Sequence, residues 1–179
     1  MPEKISEQEL YKRIKAVKLL VLDVDGVMTD GGVIYNDLGH ETKVFDVKDG
    51  HGIKLLMRGG VEVAIITSRQ SQVVGHRAAN LGIKYVYQGA LEKIKAYDEL
   101  ISKLGITPDE SACMGDDLVD MPMLKKAAFA VTVPDGVAEV IEIAHYVTKN
   151  KGGHGAVRET AELILKAQGK WQDVIRRYL

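Results

Sequence analysis

Cysteine is almost missing from this 179-residue chain: Cys113 stands alone. No intramolecular disulfide can therefore form, and a Cys-rich zinc site is excluded. Histidine is thin and scattered, at His40, His51, His76, His145 and His154, with no i, i+4 pair to clamp a transition metal. Neither sign of charge prevails, since 24 basic residues face 25 acidic ones for a net charge of −1. That balance leaves no footprint of nucleic-acid or membrane binding in the composition. Apolar runs break at a charge after a few residues, so no segment has the length of a membrane span. The stretch "MPEKISEQELYKRIKAVK" has no apolar core and no small-residue cleavage site. It does not read as a secretory signal, and the cytoplasm is the expected compartment.

What is present is ordinary for a globular domain: 46% hydrophobic and 27% charged residues. The length suits one domain spanning 1–179, with a real core. Short apolar runs alternate with amphipathic stretches, the pattern of an α/β fold with a doubly wound, Rossmann-like parallel sheet and helices on both faces. Core strands are predicted at "KLLVLDV", Val61–Thr67, Ile83–Gly89, Ser111–Asp117, "AFAVTV" and "HYVT". Helices are predicted at 50–59, 70–80, 91–104, 117–126, 136–143 and 156–167, after a short leading helix carrying Ile5, Leu10 and Ile14. One segment breaks the alternation: 31–48 reads as a β-hairpin insertion around the turn "NDLG". Val33, Ile34 and Tyr35 are consecutive, so both hairpin faces carry apolar groups, and an isolated hairpin is marginal in water. One face is expected to cover a pocket; the other meets a second subunit or folds back on its own domain.

The stretch "LLVLDVDGVMTD" (Leu19–Asp30) places Asp23 and Asp25 two residues apart, at the end of the most apolar run. In an open parallel sheet, ligands bind outside the carboxyl ends of the strands. Asp23 and Asp25 close the first strand, Thr67 the second, and Asp116, Asp117 and Asp120 follow the fourth, while Lys93 begins the helix after the third. Singly, each has a plain explanation: Asp117 as a helix cap, Thr67 as a hydroxyl before a helix, Lys93 as a solvated lysine. Together they crowd carboxylates in one crevice, which costs free energy unless a cation neutralises them or some are protonated. An all-oxygen donor set favours Mg2+ over Zn2+, and a metal flanked by a hydroxyl and an ammonium suits a phosphoryl group. Side chains at i and i+2 of an extended segment point the same way. Asp23 is then placed to attack phosphorus, and Asp25 to protonate the leaving alcohol and deprotonate the attacking water. Gly26 permits the sharp turn beside the phosphate.

"DVDGVMTD", Thr67 in "IITSR", Lys93 in "QGALEK" and "GDDLVD" resemble, in order, the four motifs of the haloacid dehalogenase superfamily of phosphatases. The resemblance spans nearly the whole chain and implies the branch without a large cap domain, whose small members assemble as tetramers. More narrowly, "DVDGVMTDG", "FDVKDGHGIKLL", "TSRQS", "GDDLVDMPML" and "GGHGAVRE" are similar to the 3-deoxy-D-manno-octulosonate 8-phosphate phosphatases of lipopolysaccharide biosynthesis. That resemblance implies Mg2+ on Asp23, Asp116 and the backbone carbonyl of Asp25, with phosphate gripped by Thr67 and Lys93. It also implies a loop of Asp46, Val47, Lys48, Asp49 and Gly50 that faces the sugar acid together with Lys54, Arg69 and Arg77. The tail 150–179 would supply a segment closing over an active site, its own or a neighbour's. Arg77 reads equally well as a solvated helix arginine. His154 stands where relatives carry a basic residue, and "TSR" where they carry "SGR", a change that keeps the hydroxyl. Gly153, Gly155 and Ala156 lack the third glycine and the strand context of a dinucleotide fingerprint. Two other readings stand beside this one. A phospho-accepting receiver module shares the carboxylates, hydroxyl and lysine but lacks an acid/base group two residues after the phosphoacceptor. A phosphatase for nine-carbon, sialic-acid-type sugar phosphates would share every motif.

Overall fold

The computed structural model describes residues 5–179. Helix α1 (Glu7–Ala16) opens on Ser6, whose hydroxyl accepts the Glu9 N–H. It leads into β1 (Leu19–Leu22), all four residues of which are buried. A hairpin of β2 (Ile34–Tyr35) and β3 (Glu41–Thr42) follows, then α2 (Val47–Arg58), β4 (Glu62–Ile66), α3 (Gln72–Leu81), β5 (Tyr85–Tyr87) and α4 (Lys93–Leu104). The second half adds β6 (Ser111–Met114), α5 (Met121–Lys126), β7 (Phe129–Thr132), α6 (Ala138–Ile143), β8 (Tyr146–Val147), α7 (Ala156–Ala167) and α8 (Trp171–Ile175). The main sheet runs β5-β4-β1-β6-β7-β8, and each of its strand pairings is parallel. The chain builds outward from β1 in one direction, then returns and builds outward in the other. The β1/β6 boundary is therefore the switch point, where a crevice opens at the strands' carboxyl ends. Leu22 lies beside Ile65 on one side and Met114 on the other, which brings Asp23 level with the end of β6.

Alternation along β1 explains the continuous apolar run. Leu20 and Leu22 enter a core layer with Ile53 and Leu56 of α2, Val74 of α3, and Val157 and Ile164 of α7. Leu19 and Val21 enter the opposite layer, with Tyr97 and Leu100 of α4, Met123 and Leu124 of α5, and Val140 of α6. A strand covered on both faces has no solvent side to make polar. Burying each such side chain contributes about 1.5–3 kcal/mol, and this anchorage holds the strand end rigid.

The predicted strands and helices all form, with three differences. The hairpin is shorter than 31–48, because Asp46 accepts the N–H groups of Lys48 and Asp49, at 2.6 and 3.0 Å, and starts α2 at Val47. Residues 46–50, expected as a loop, are thus the cap and first turn of a helix. The tail 150–179 is anchored in the core, since α7 packs along α2 and buries Val157, Ala161, Ile164 and Leu165. The α8 helix, with Val174 buried, was not expected at all; its five residues are too few to show a helical period. The part of the tail that meets the first motif is the loop 150–155, where a β-carbon at Gly152 or Gly153 would strike the backbone of Gly26 or Thr29. It lies against the chain's own first motif, with the Gly153 N–H donating to the Val27 carbonyl at 2.9 Å.

Candidate active site

Asp23 continues β1 by donating its N–H to the Met114 carbonyl at 3.0 Å, and its side chain is 7% exposed. The chain then coils tightly, with the Val24 carbonyl accepting from the Met28 and Thr29 N–H groups. Gly26 adopts φ 91°, and a β-carbon there would collide with the Asp116 carboxylate. Glycine is required both for the left-handed backbone and for the closeness of the β1 and β6 loops.

Lys93, the first residue of α4, is buried between the two acidic motifs. Its Nζ donates to Asp23 Oδ1 at 2.7 Å and to Asp120 Oδ1 at 2.6 Å. Burial works against the ammonium, but the two carboxylates outweigh it and hold Lys93 charged. Asp120 is fully buried, and its Oδ2 accepts the N–H groups of Asp116 and Asp117 at 3.0 and 3.1 Å. It therefore fixes both Lys93 and the loop that carries Asp116. The i, i+4 spacing of Asp116 and Asp120 was the sequence signal for this tie. Asp117 is exposed and caps its own 3-10 turn through the Leu118 N–H, the plain reading of a strand-end aspartate.

Oxygens of Asp23, Asp116 and Asp120 all lie within 4.8 Å of one another. Burial, reinforced by the negative charge of Asp120 and opposed by Lys93, pushes Asp23 up to about 7. Burial and the charges of Asp120 and Asp117 push Asp116 up to about 7 as well. Asp116 Oδ1 is buried with no hydrogen-bond partner. A buried, partnerless carboxylate oxygen among further carboxylates is the chemistry of a hard divalent cation site, and the residues present fit one. Among the described residues no helix is long and apolar enough to cross a membrane.

Thr67 ends β4 next to the β1 loop, buried, with its N–H on the Tyr87 carbonyl at 2.9 Å. Asp25 is gripped by residues that sequence reasoning passed over. Lys43, just after β3 where the chain leaves the hairpin, has a side chain only 1% exposed and pairs with Asp25 Oδ1 and, at 3.2 Å, with Glu41 Oε1. Arg69 reaches the same group: its Nε lies 3.7 Å from Asp25 Oδ2, and its Nη2 donates to Glu41 at 2.8 Å and to the Tyr35 hydroxyl at 2.9 Å. A cleft of about 620 Å³ opens there, walled by Tyr35, Glu41, Arg69 and Ser71. Glu41 and Lys43 read in the sequence as ordinary charges of an exposed strand, and only the fold-back of the hairpin reveals them.

The other expected sugar-acid residues are not gathered at the acidic centre. Asp46 is the α2 cap, and Val47 and Lys48 are exposed on its first turn. Asp49 is buried, and its carboxylate accepts the N–H groups of Gly155 (3.2 Å) and Arg158 (2.7 Å) at the start of α7. Gly50 gives space to Arg77, which donates to the Asp46 carbonyl at 3.1 Å and lies over the Phe45 ring. Arg77 thus braces the α2 start, a position neither of its sequence readings anticipated. Lys54 is exposed on α2. His154 is also exposed, its Nδ1 2.8 Å from the Gly152 carbonyl.

Comparison with known proteins agrees with this geometry. Residues 85–159 match the family model of the haloacid dehalogenase-like hydrolases. The chain is 44% identical over 162 residues to 3-deoxy-D-manno-octulosonate 8-phosphate phosphatase KdsC of Escherichia coli K12, covering 90% of this chain and 86% of that one. The crystal structure of the corresponding phosphatase from Moraxella catarrhalis, in complex with magnesium, phosphate and KDO, superposes with a TM-score of 0.94 at 42% identity, covering 97% of this chain and all of that one. The phosphatase from Yersinia pestis superposes with a TM-score of 0.90 at 43% identity, over 92% of this chain and 89% of that one. On these grounds the chain belongs to the haloacid dehalogenase-like hydrolases, within the family of the 3-deoxy-D-manno-octulosonate 8-phosphate phosphatases.

Proposed function

We propose that this chain is a Mg2+-dependent phosphomonoesterase that hydrolyses 3-deoxy-D-manno-octulosonate 8-phosphate to the free sugar acid and phosphate, in lipopolysaccharide biosynthesis. The observation that carries the reading is the triad of Asp23, Asp116 and Asp120 around Lys93 at the β1/β6 switch point, with Asp116 Oδ1 left partnerless. A carboxylate of Asp23 attacks phosphorus, and the bond to the sugar oxygen breaks. Asp25 delivers its proton to that oxygen, leaving an aspartyl-phosphate on Asp23. Asp25, now a carboxylate, takes a proton from water, whose oxygen attacks phosphorus and releases phosphate and Asp23. Thr67 and Lys93 hold the phosphoryl oxygens. Asp23, Asp116 and the Asp25 carbonyl would hold the magnesium ion, which supplies positive charge against the oxygens of the transferring group. Arg69 faces the carboxylate of the sugar acid, because a guanidinium at the rim of the cleft suits two-point pairing.

The same reading makes the enzyme a cytoplasmic homotetramer. Its support is the hairpin, where Val33, Ile34, Tyr35 and Leu38 are all about half or more exposed on one small element. The loop 150–155 acts as a cover over the crevice. Phosphate release measured across a panel of sugar-acid phosphates with Mg2+ tests the substrate: the eight-carbon acid should exceed the nine-carbon acids and simple esters in kcat/KM. A flat profile would leave a phosphatase of this superfamily without the specific substrate.

A further inference from the structure

Arg69 does not wait with its donors free. Both hydrogens of Nη2 are committed, one to the Tyr35 hydroxyl at 2.9 Å and one to Glu41 Oε1 at 2.8 Å. A guanidinium grips a carboxylate at two points through Nη2 together with either Nε or Nη1. Either fork needs a hydrogen that Tyr35 or Glu41 already holds. Glu41, the charged partner, is also the one with somewhere to go. Lys43 Nζ stands 3.2 Å from it, on a side chain 1% exposed, so Glu41 can release Arg69 without becoming an unpaired charge.

We propose that Glu41 is an internal placeholder for the substrate carboxylate: it occupies Arg69 in the empty site and is displaced onto Lys43 when a sugar acid enters. The inference rests on the reading of Arg69 as the residue that faces the sugar acid. In the empty state Glu41 sits between Lys43 and Arg69 and offsets part of their positive charge, so the rim attracts stray anions less strongly than two free cations would. An ion offering one contact point exchanges poorly for Glu41, whereas a carboxylate on a tethered phosphate ester offers two. Lys43 also pairs with Asp25, so the displaced Glu41 shares its cation with the group proposed as acid/base.

The test is Glu41→Gln, which keeps the size of the side chain and an acceptor oxygen but removes the charge. Two Michaelis constants are measured for each variant, one for 3-deoxy-D-manno-octulosonate 8-phosphate and one for p-nitrophenyl phosphate, which has no carboxylate. The ratio of the first to the second should fall about two- to fivefold in the glutamine variant, the range of a solvent-accessible ion pair. In an Arg69→Met background the same change should leave the ratio where Arg69→Met put it. A ratio that stays level or rises in Glu41→Gln overturns the placeholder, as does a fall that persists without Arg69. If Arg69→Met alone fails to raise the ratio, the assignment of Arg69 to the sugar acid is what fails.

Discussion

Asp23 and Asp25 sit two residues apart in different surroundings. Asp23 is buried between Lys93 and Asp120, and burial with the Asp120 charge pushes it up to about 7. The positive charge of a bound cation beside Lys93 would be what keeps this nucleophile ionised at the instant of attack. Asp25 is a fifth exposed and held by Lys43 and Arg69, open enough to exchange a proton with an alcohol or a water. Environment rather than residue type separates the two roles. Asp23→Asn should keep the fold, because the amide oxygen can still accept from Lys93, yet lose activity by roughly four orders of magnitude or more, as when a nucleophile is removed. Asp25→Asn should cost about 10²- to 10⁴-fold, the worth of general acid–base catalysis. Phosphate-release assays beside circular dichroism measure both. Near-normal turnover in Asp23→Asn would remove it from the reaction.

Helix α7 begins on Gly155, which has no side chain to cap it. The cap comes instead from Asp49, in the first turn of α2, through the Gly155 and Arg158 N–H groups. Helix α2 thus supplies the cap that α7 lacks and ties the end of the loop 150–155 to the core. Burial outweighs those hydrogen bonds and pushes Asp49 up to about 6, against an ordinary value of 3.8. Between those values the folded protein holds a proton that the unfolded chain has lost, so stability contributed by Asp49 falls as pH rises from about 4 to 6 and is level above. Asp49→Asn removes that titration. The wild-type melting temperature minus that of Asp49→Asn should therefore decline across pH 4–6 and then flatten, as thermal melts would record. A difference that grows over the same interval would show that the carboxylate, not the carboxylic acid, is the better cap.

Across the whole molecule, the sheet and the hairpin serve separate ends. The sheet order sets β1 beside β6 and makes the acidic centre a property of one chain. The hairpin carries apolar side chains outward, with Leu38 79% exposed, and a patch of that kind marks a contact surface. If the hairpin carries the contacts of the proposed tetramer, Ile34→Lys should shift the sedimentation velocity profile to smaller species than the wild type, with the circular dichroism of the core unchanged. A tetramer of unaltered stability would place the subunit contact elsewhere.

Local chemistry was legible in the sequence. Strand and helix periods, the Asp23/Asp25 spacing, Thr67 and Lys93 at element ends, and the "GDDLVD" motif all depend on neighbours within a few residues. These were enough for the α/β class and the acidic crevice. What the tertiary structure alone decided is which distant side chains meet. Lys43 reaches Asp25 across 18 residues, Lys93 reaches Asp120 across 27, and Asp49 reaches the Arg158 N–H across 109. A charged residue on a short exposed strand looks the same whether its side chain ends in water or in a catalytic centre. Its partner is set by the direction in which a folded hairpin or helix delivers it, and that direction comes from packing over the whole core.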